Sequence, residues 1–523
     1  MRPDDTRLVL LAGSVLFALF AWPLLLVAVP PLQDLPNHLA TAHIIAHPEL
    51  YPEYTFNGLF KSNALLTLWL WAFGAHGLFG AARAFVAIVL AANAFALPLF
   101  VLHFAGRRHL WVALLFLWPL VHSFAVSMGF LNFAFAFAGS LGLLVVLDRQ
   151  RVTPSVRGAL GVAALAGLVW YAHPFPLAVV GVLVAAHALR QPTWRQRIQA
   201  GVTLLLPLVP AGLLALAAAQ HHLIKAQHSS AAPANYLYLS PSMNLRHLWM
   251  DASGALTHWG SMTAVPAILL PVLAWPRRRV ERPFLSGVAI VGLLIAYAAL
   301  PQMLSNWYYL NCRLVPFLWA ALALRLPETL PRPATALLVA CALSFSAVQG
   351  VDYLRLDRDR AELTAGIPAV PQHARLMPLL FKHSKTSDYI ASLTHAWAYY
   401  TVAKDTSAPL VFGVERSYPI TYRDFPPREL IPPALDMFAE RNATPAPICQ
   451  KLGLADGDPA CAIAWREIWR GFWRQAEPRF DHLLIWAMPA EARALLPPSY
   501  RRVLMLGQLE IYGKDEASTR PPP

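Results

Sequence analysis

The sequence runs to 523 residues, of which 57% are hydrophobic and only 14% charged, whereas a soluble domain carries about 25% charged residues. That composition excludes a soluble enzyme and predicts a polytopic α-helical membrane protein whose first partner is the lipid bilayer. The formal net charge of +13 lies in short clusters between apolar runs, and no soluble basic domain collects it, which excludes a nucleic-acid partner.

Apolar runs of membrane-spanning length follow one another from the start of the chain. The first, 8–29, is too long for a secretory core and has no small-residue cleavage site, so it reads as an uncleaved helix. Behind it comes PPLQDLPNHLATAHIIAHPELYP (30–52), the start of a first outer loop that extends to residue 62. DLPNHLATAHII has helical spacing, with Asp34 placed as its cap and Pro36 in its first turn. Asp34, Asn37 and His38 stand three and four apart and share one face. A carboxylate and an imidazole so arranged can bind a divalent metal, or act as a general base with an orienting partner. A plain helix cap beside an interfacial histidine fits the spacing as well. His43 and His47 do not match that face and read as ordinary interfacial histidines, and no closed, tightly spaced zinc cage is present.

Residues 63–80 and 83–105 form two runs parted by GLFGAAR. Further runs follow at 110–126, 129–147, 158–172, 174–189, 200–219, 262–275, 284–302, 313–326 and 333–350, giving about 11 to 13 spans. Basic clusters at 107–109, 148–151, 190–197, 276–282 and 325–332 are short, and the positive-inside rule puts all five in the cytoplasm. The stretch 63–105 must then cross an odd number of times. Either its first run is a partial or interfacial helix, or the His173-Pro174 break is no true loop.

The outer turns hold the remaining polar residues. His122, Asn132 and MGFLNF (128–133) share one tight turn, and His173 sits at another in WYAHPFP; prolines and polar groups at membrane depth line cavities rather than lipid. The loop 220–261 offers His221, His222, Lys225, Tyr236, Tyr238, Asp251 and His258 with Trp249 and Trp259, an interfacial belt that doubles as a substrate contact. In SNWYYLNCRLVP, Arg313 stands at the outer start of a helix. An arginine there is costly unless it faces a polar cavity, and its planar fork suits a phosphate.

Beyond residue 350 the composition shifts to acids, prolines and short apolar strands. Expected strands are APLVFGV (408–414), FDHLLIW (480–486) and LGQLEIYG (506–513), with a helical pattern at 385–403. The expected organisation is a transmembrane domain, 1–350, and a small soluble α/β domain, 351–523, ending in a disordered STRPPP tail. Cys449 and Cys461 bracket a short polar loop and suit a disulfide, hence an oxidising compartment. Between Tyr54 and Gly350 the acids are Asp148, Asp251, Glu281 and Glu328 alone. The outer face of the membrane portion therefore draws its carboxylates from Asp34, Glu49, Glu53 and Asp251, of which Asp34 is the best placed.

An Asp close behind the first helix, an Arg-x-x-Pro at the outer start of a late helix (RLVP, 313–316) and a soluble outer C-terminal domain together resemble the GT-C superfamily of polytopic glycosyltransferases. The resemblance implies a GT-C-like fold and inverting transfer of a sugar from a polyprenyl-phosphate donor to an envelope lipid, glycan or protein. Asp34 matches the first-loop base, with His38 as its helper, and Arg313 matches the residue that holds the donor phosphate. His173, Lys61, Asn37, His122, Asn132 and Tyr309 are the expected substrate contacts. A divalent ion, Mg or Mn, would be held by Asp34 and His38; Leu35 stands where many members have a second acid, which leaves that requirement open. Leu314 stands where an aromatic commonly follows the arginine. The implied location is the bacterial inner membrane, with the C-terminal domain periplasmic and Asp34 and Arg313 lining one outward cavity. Two other readings are a transporter or flippase for a lipid-linked or anionic substrate and a non-catalytic glycan-binding envelope protein. No inverted repeat is visible, and the charges gather on one face, which disfavours the transporter.

Overall fold

The computed structural model describes residues 3–217, 236–245, 248, 255–273, 282–304, 307–382, 390–413, 418–424, 426–432, 434–435 and 437–514. His221, His222, Lys225, Trp249, Asp251 and Glu281 lie outside the described residues. Six helices among those described are long and apolar enough to cross a membrane: Pro3–Leu25, Leu78–Phe104, Arg107–Ser127, Leu131–Val152, Trp194–Ala217 and Arg332–Ala369. Shorter apolar helices are Leu65–His76, Val156–Ala172, Pro174–Leu189, Gly287–Ala299 and Asn311–Ala323. The chain divides into two compact units, one of Met1–Ala28, Leu59–Trp69 and Arg83–Tyr353, the other of Val29–Gly58, Leu70–Ala82 and Leu354–Pro523.

The first unit is helical because a chain in hydrocarbon must pair every backbone N–H and C=O within itself. Leu131–Val152 packs against Val156–Ala172 and Pro174–Leu189. Leu10, Leu11, Val15, Leu213 and Ile295 are exposed, an apolar surface that lipid covers and water would not. Inside, Phe20 stacks on Trp118 at 5.6 Å and Trp118 meets Phe345 at 5.0 Å. Trp22 Nε1 donates to Ser346 Oγ at 2.8 Å. A Cβ at Gly350 would lie 2.2 Å from the Trp22 ring, so the indole reaches its place only over a glycine. Leu65–His76 reaches about 18 Å, short of a hydrocarbon core of about 30 Å.

In the second unit, His482–Trp486 pairs in parallel with Leu376–Leu380 and antiparallel with Leu509–Lys514, which pairs with Tyr500–Leu506. The helix Pro459–Ala476 buries Trp465, Trp469, Phe472 and Trp473, a spacing of four, three and one that makes a single apolar stripe. The first outer loop folds into this same unit. Its helix Leu35–Ala46 packs on Ala398–Lys404, and Tyr54–Phe56 pairs antiparallel with Ile420–Tyr422.

Two strands stand where the sequence placed them, at His482–Trp486 and Leu509–Lys514. The expected strand at 408–414 is corrected: its described part, 408–413, is irregular. Its Phe412 N–H and Leu410 C=O bond the Asn37 side chain, which takes the place of a neighbouring strand. The helical pattern at 385–403 yields only Ala398–Lys404, with 383–389 outside the described residues.

Cys449 and Cys461 are disulfide-bonded, with Cα atoms 5.2 Å apart and a separation of 12 residues. Closing a loop of that size removes about 3 kcal/mol of unfolded-state entropy in the chain-entropy account. Cys449→Ser combined with Cys461→Ser is expected to destabilise the second unit by about that amount. Thermal unfolding with and without reductant checks it, since reductant should destabilise the wild type and leave the double variant unchanged.

Candidate functional site

Two groups of polar residues carry the candidate chemistry, one in each unit. In the second unit Asp34 precedes the helix Leu35–Ala46 in the N-cap position, but its side chain makes no cap hydrogen bond. The cap expected from sequence is therefore not formed, because the Asp34 backbone is helical (φ −89°, ψ −11°) rather than in the extended conformation that aims a cap oxygen at the first turn. The residue is 8% exposed, and its carboxylate faces His395 instead, with His395 Nε2 3.5 Å from Asp34 Oδ1.

Asn37 sets that histidine's protonation pattern. Its Oδ1 accepts from Phe412 N–H at 3.0 Å, so its Nδ2 is the donor, to Leu410 C=O at 2.9 Å and toward His395 Nδ1 at 3.3 Å. A ring nitrogen that faces a donor is the acceptor, which leaves the neutral imidazole's proton on Nε2, pointed at Asp34. Gln33 adds a tie, its Oε1 accepting from Ala391 N–H at 3.1 Å. His38 lies edge-on to Phe412 with ring centroids 5.7 Å apart. Burial pulls its pKa from 6.5 down to about 4, opposed by Asp34 and reinforced by His395. His38 therefore stands at neutral pH as an uncharged imidazole beside the carboxylate.

Sequence reasoning found Asp34, Asn37 and His38 but not His395 or Phe412. Asn37 and His395 are 358 positions apart, and no local spacing links them; the only signal was a histidine within the otherwise apolar SLTHAWAYY. His43 is structural here, with Nε2 2.7 Å from Asp405 Oδ1. His47 faces Glu49 at 3.8 Å on the surface.

In the first unit Arg313 lies in the 3-10 turn Asn311–Leu314, and Pro316 opens the helix Val315–Ala323 behind it. Its guanidinium sits over the rings of Phe130 and Phe133, at 5.2 and 5.5 Å, and Nη2 donates to Tyr308 C=O at 3.4 Å. Nη1 is 2.5 Å from His173 Nε2. His173 is buried at the N-cap of Pro174–Leu189, where its Nδ1 accepts from Phe175 N–H at 3.2 Å. The cap engages Nδ1 and Arg313 Nη1 meets Nε2, so this imidazole ties the guanidinium to the start of Pro174–Leu189. Tyr309 packs its ring on Phe124 and Phe130, at 5.3 and 6.0 Å.

The other expected contacts have structural work. His122 is buried with Nε2 2.8 Å from the Tyr353 hydroxyl. Asn132 accepts from Leu66 N–H at 2.8 Å and donates to Asn63 C=O at 2.8 Å, holding Asn63 in a left-handed conformation (φ 64°). Lys61 is half-buried, which pulls its ammonium below its ordinary pKa. For a metal, Asp34 and His38 supply one carboxylate and one imidazole. Among the described residues no group of three or more His, Cys, Asp and Glu side chains is arranged to hold an ion, so these residues do not form a protein cage.

Two outcomes test this geometry. Asn37→Ala leaves buried Phe412 N–H and Leu410 C=O unpaired, at about 1–3 kcal/mol each. Asn37→Asp restores only the acceptor for Phe412, so calorimetry should rank wild type above Asp and Asp above Ala. For His38 the folded pKa lies below the unfolded one. Between pH 6.5 and about 4 the unfolded chain therefore binds the extra proton, and stability falls as pH falls. One such group contributes at most about 1.4 kcal/mol per pH unit. Unfolding temperatures across that window should drop less for His38→Gln than for wild type; equal drops would rule out His38 as a source.

No family model matches the sequence, and no curated protein matches it. Two solved structures resemble the fold. ArnT from Cupriavidus metallidurans, in a structure bound to undecaprenyl phosphate, matches at a TM-score of 0.50 and 12% identity, over 100% of both chains. The mycobacterial arabinofuranosyltransferase AftD matches at a TM-score of 0.47 and 15% identity, over 97% of this chain and 40% of its own, and adds no weight. The likeness to ArnT runs the length of both chains, through the helices of the first unit and the sheet of the second. This chain is a multi-pass membrane protein with a GT-C-like fold.

Proposed function

We propose that this protein is a membrane glycosyltransferase that moves a sugar from a polyprenyl-phosphate donor to a hydroxyl of an envelope lipid, glycan or protein. The observation that carries the reading is Asp34: a buried carboxylate that caps nothing and is faced by a histidine held in one tautomer. Such a group is suited to accept a proton from a bound alcohol. The acceptor oxygen attacks the anomeric carbon as its proton passes to Asp34. The bond from that carbon to the phosphate oxygen breaks, with inversion, and the polyprenyl phosphate leaves with the electron pair. Negative charge that grows on the phosphate needs fixed donors, and the Arg313 guanidinium is the group we assign to that charge. His395 and neutral His38 orient Asp34. A divalent ion, if used, would draw further ligands from water and the donor phosphate, as Mg2+ commonly does, and no step is assigned to it. Support for a lipid-phosphate donor comes from ArnT, which is bound to undecaprenyl phosphate.

We infer a second unit on the outer face of a bacterial inner membrane; the Cys449–Cys461 disulfide supports the outer face, since such bonds persist in oxidising compartments.

Purified protein in nanodiscs, supplied with undecaprenyl-phosphate-linked pentoses and hexoses and envelope extract, gives the test. Asp34→Asn should cut transfer by about 10²–10⁴-fold while binding undecaprenyl phosphate as wild type does. Arg313→Ala should weaken that binding by about 2 kcal/mol. Transfer undiminished by Asp34→Asn would remove Asp34 from the role of base.

A further inference from the structure

The second unit brings two histidines together at the far end of the helix that Asp34 precedes. His43 stands in the last turn of Leu35–Ala46, and His47 is its C-cap residue. Four positions apart, they share one side of the helix, and their ring centres lie 4.8 Å apart. A histidine pair at this spacing is how a helix grips zinc. Asp34 lies nine residues before His43, about 14 Å along the axis, so the pair stands apart from the transfer site.

The surroundings select one nitrogen of His43. Its Nε2 lies 2.7 Å from Asp405 Oδ1, and a carboxylate only accepts, so Nε2 carries the proton and Nδ1 keeps the lone pair. Asp405 Oδ2 accepts from Gln372 Nε2 at 2.5 Å, which steadies the carboxylate. Imidazoles that ligate metals almost always donate their other N–H to a carboxylate, a carbonyl or water, which orients the ring and raises its basicity. Asp405 already does this for His43. Ring spacing fits as well. With a Zn–N distance of about 2.1 Å, an ion lies about 3.2 Å from each ring centre, and ligand angles from about 90° to about 109° then put the centres about 4.5–5.2 Å apart. The 4.8 Å observed falls inside that interval. The side chains of His43 and His47 are 14% and 47% exposed, so an ion reaches the pair from solvent. Glu49 Oε1, 3.8 Å from His47 Nδ1, and the carbonyl end of the helix add negative potential. Among the described residues no group of three or more His, Cys, Asp and Glu side chains is arranged to hold an ion, so water completes the shell.

We propose that His43 and His47 bind a divalent transition-metal ion of the zinc type, with Asp405 as the positioning residue behind His43. Imidazole nitrogen suits such ions, whereas Mg2+ takes oxygen ligands. Asp405 is the C-cap residue of Ala398–Lys404, so the ion would brace the end of the first outer loop's helix against that helix.

Zinc chloride titrated into the tag-free full chain in nanodiscs, followed by isothermal titration calorimetry in a non-chelating buffer, tests the site. Wild type should take up one ion more than the variant that combines His43→Gln with His47→Ala. Asp405→Asn should keep the ion but weaken its binding about 10–100-fold, and Asp405→Glu should recover most of that loss. A large excess of Mg2+ should not displace the zinc. Should His43→Gln disturb the fold, His47→Ala alone, at a half-exposed position, is expected to weaken the site at least about tenfold. Asp34→Asn with His38→Gln should bind as wild type does, which separates this site from the transfer reading. Equal uptake by wild type and the His43, His47 variant, unaltered affinity in His47→Ala, or displacement by Mg2+ would overturn the proposal. So would loss of the ion in the Asp34, His38 variant, since that would give it to the transfer site. Unaltered affinity in Asp405→Asn would strike Asp405 from the site.

Discussion

A polar group buried inside a protein is costly unless it is paired, and this constraint organises much of the structure. Asn37 shows it most fully: one side chain satisfies the backbone at 410 and 412 and sets the tautomer of His395. His43, His122 and Asn132 are likewise committed, each to a named partner. Against that background Asp34 is distinctive. Its carboxylate is buried, caps no helix and meets one imidazole across 3.5 Å. A negative group kept in that setting is costly unless it has work to do, and proton transfer is the work its neighbours suit.

The Arg313 cluster obeys the same constraint from the cationic side. Aromatic faces at Phe130 and Phe133 and the carbonyl of Tyr308 make a guanidinium tolerable at the mouth of a helix;. His173 adds the informative detail. It caps Pro174–Leu189 through Nδ1 and meets Arg313 Nη1 at Nε2, so one imidazole serves both the helix start and the arginine.

Much of this was legible in the sequence, and what was not has a physical reason. Hydrophobic runs gave the membrane helices, since length and apolarity are local properties. The helix at Leu35–Ala46, the strands His482–Trp486 and Leu509–Lys514 and the Cys449–Cys461 pair followed from spacing. The apolar run at 408–414 read as a strand, but its backbone hydrogen bonds go to a side chain far away in sequence. His395 was invisible for the same reason. His122 and Asn132 were placed in the right kind of turn, yet sequence could not show that Tyr353, Asn63 and Leu66 use their hydrogen-bonding capacity. Local pattern reports elements, whereas long-range pairing decides which polar groups remain for chemistry.

The most direct test is a cryo-electron microscopy structure of the protein with undecaprenyl phosphate added. The account predicts a phosphate within hydrogen-bond reach of the Arg313 guanidinium. A phosphate bound elsewhere would contradict the account.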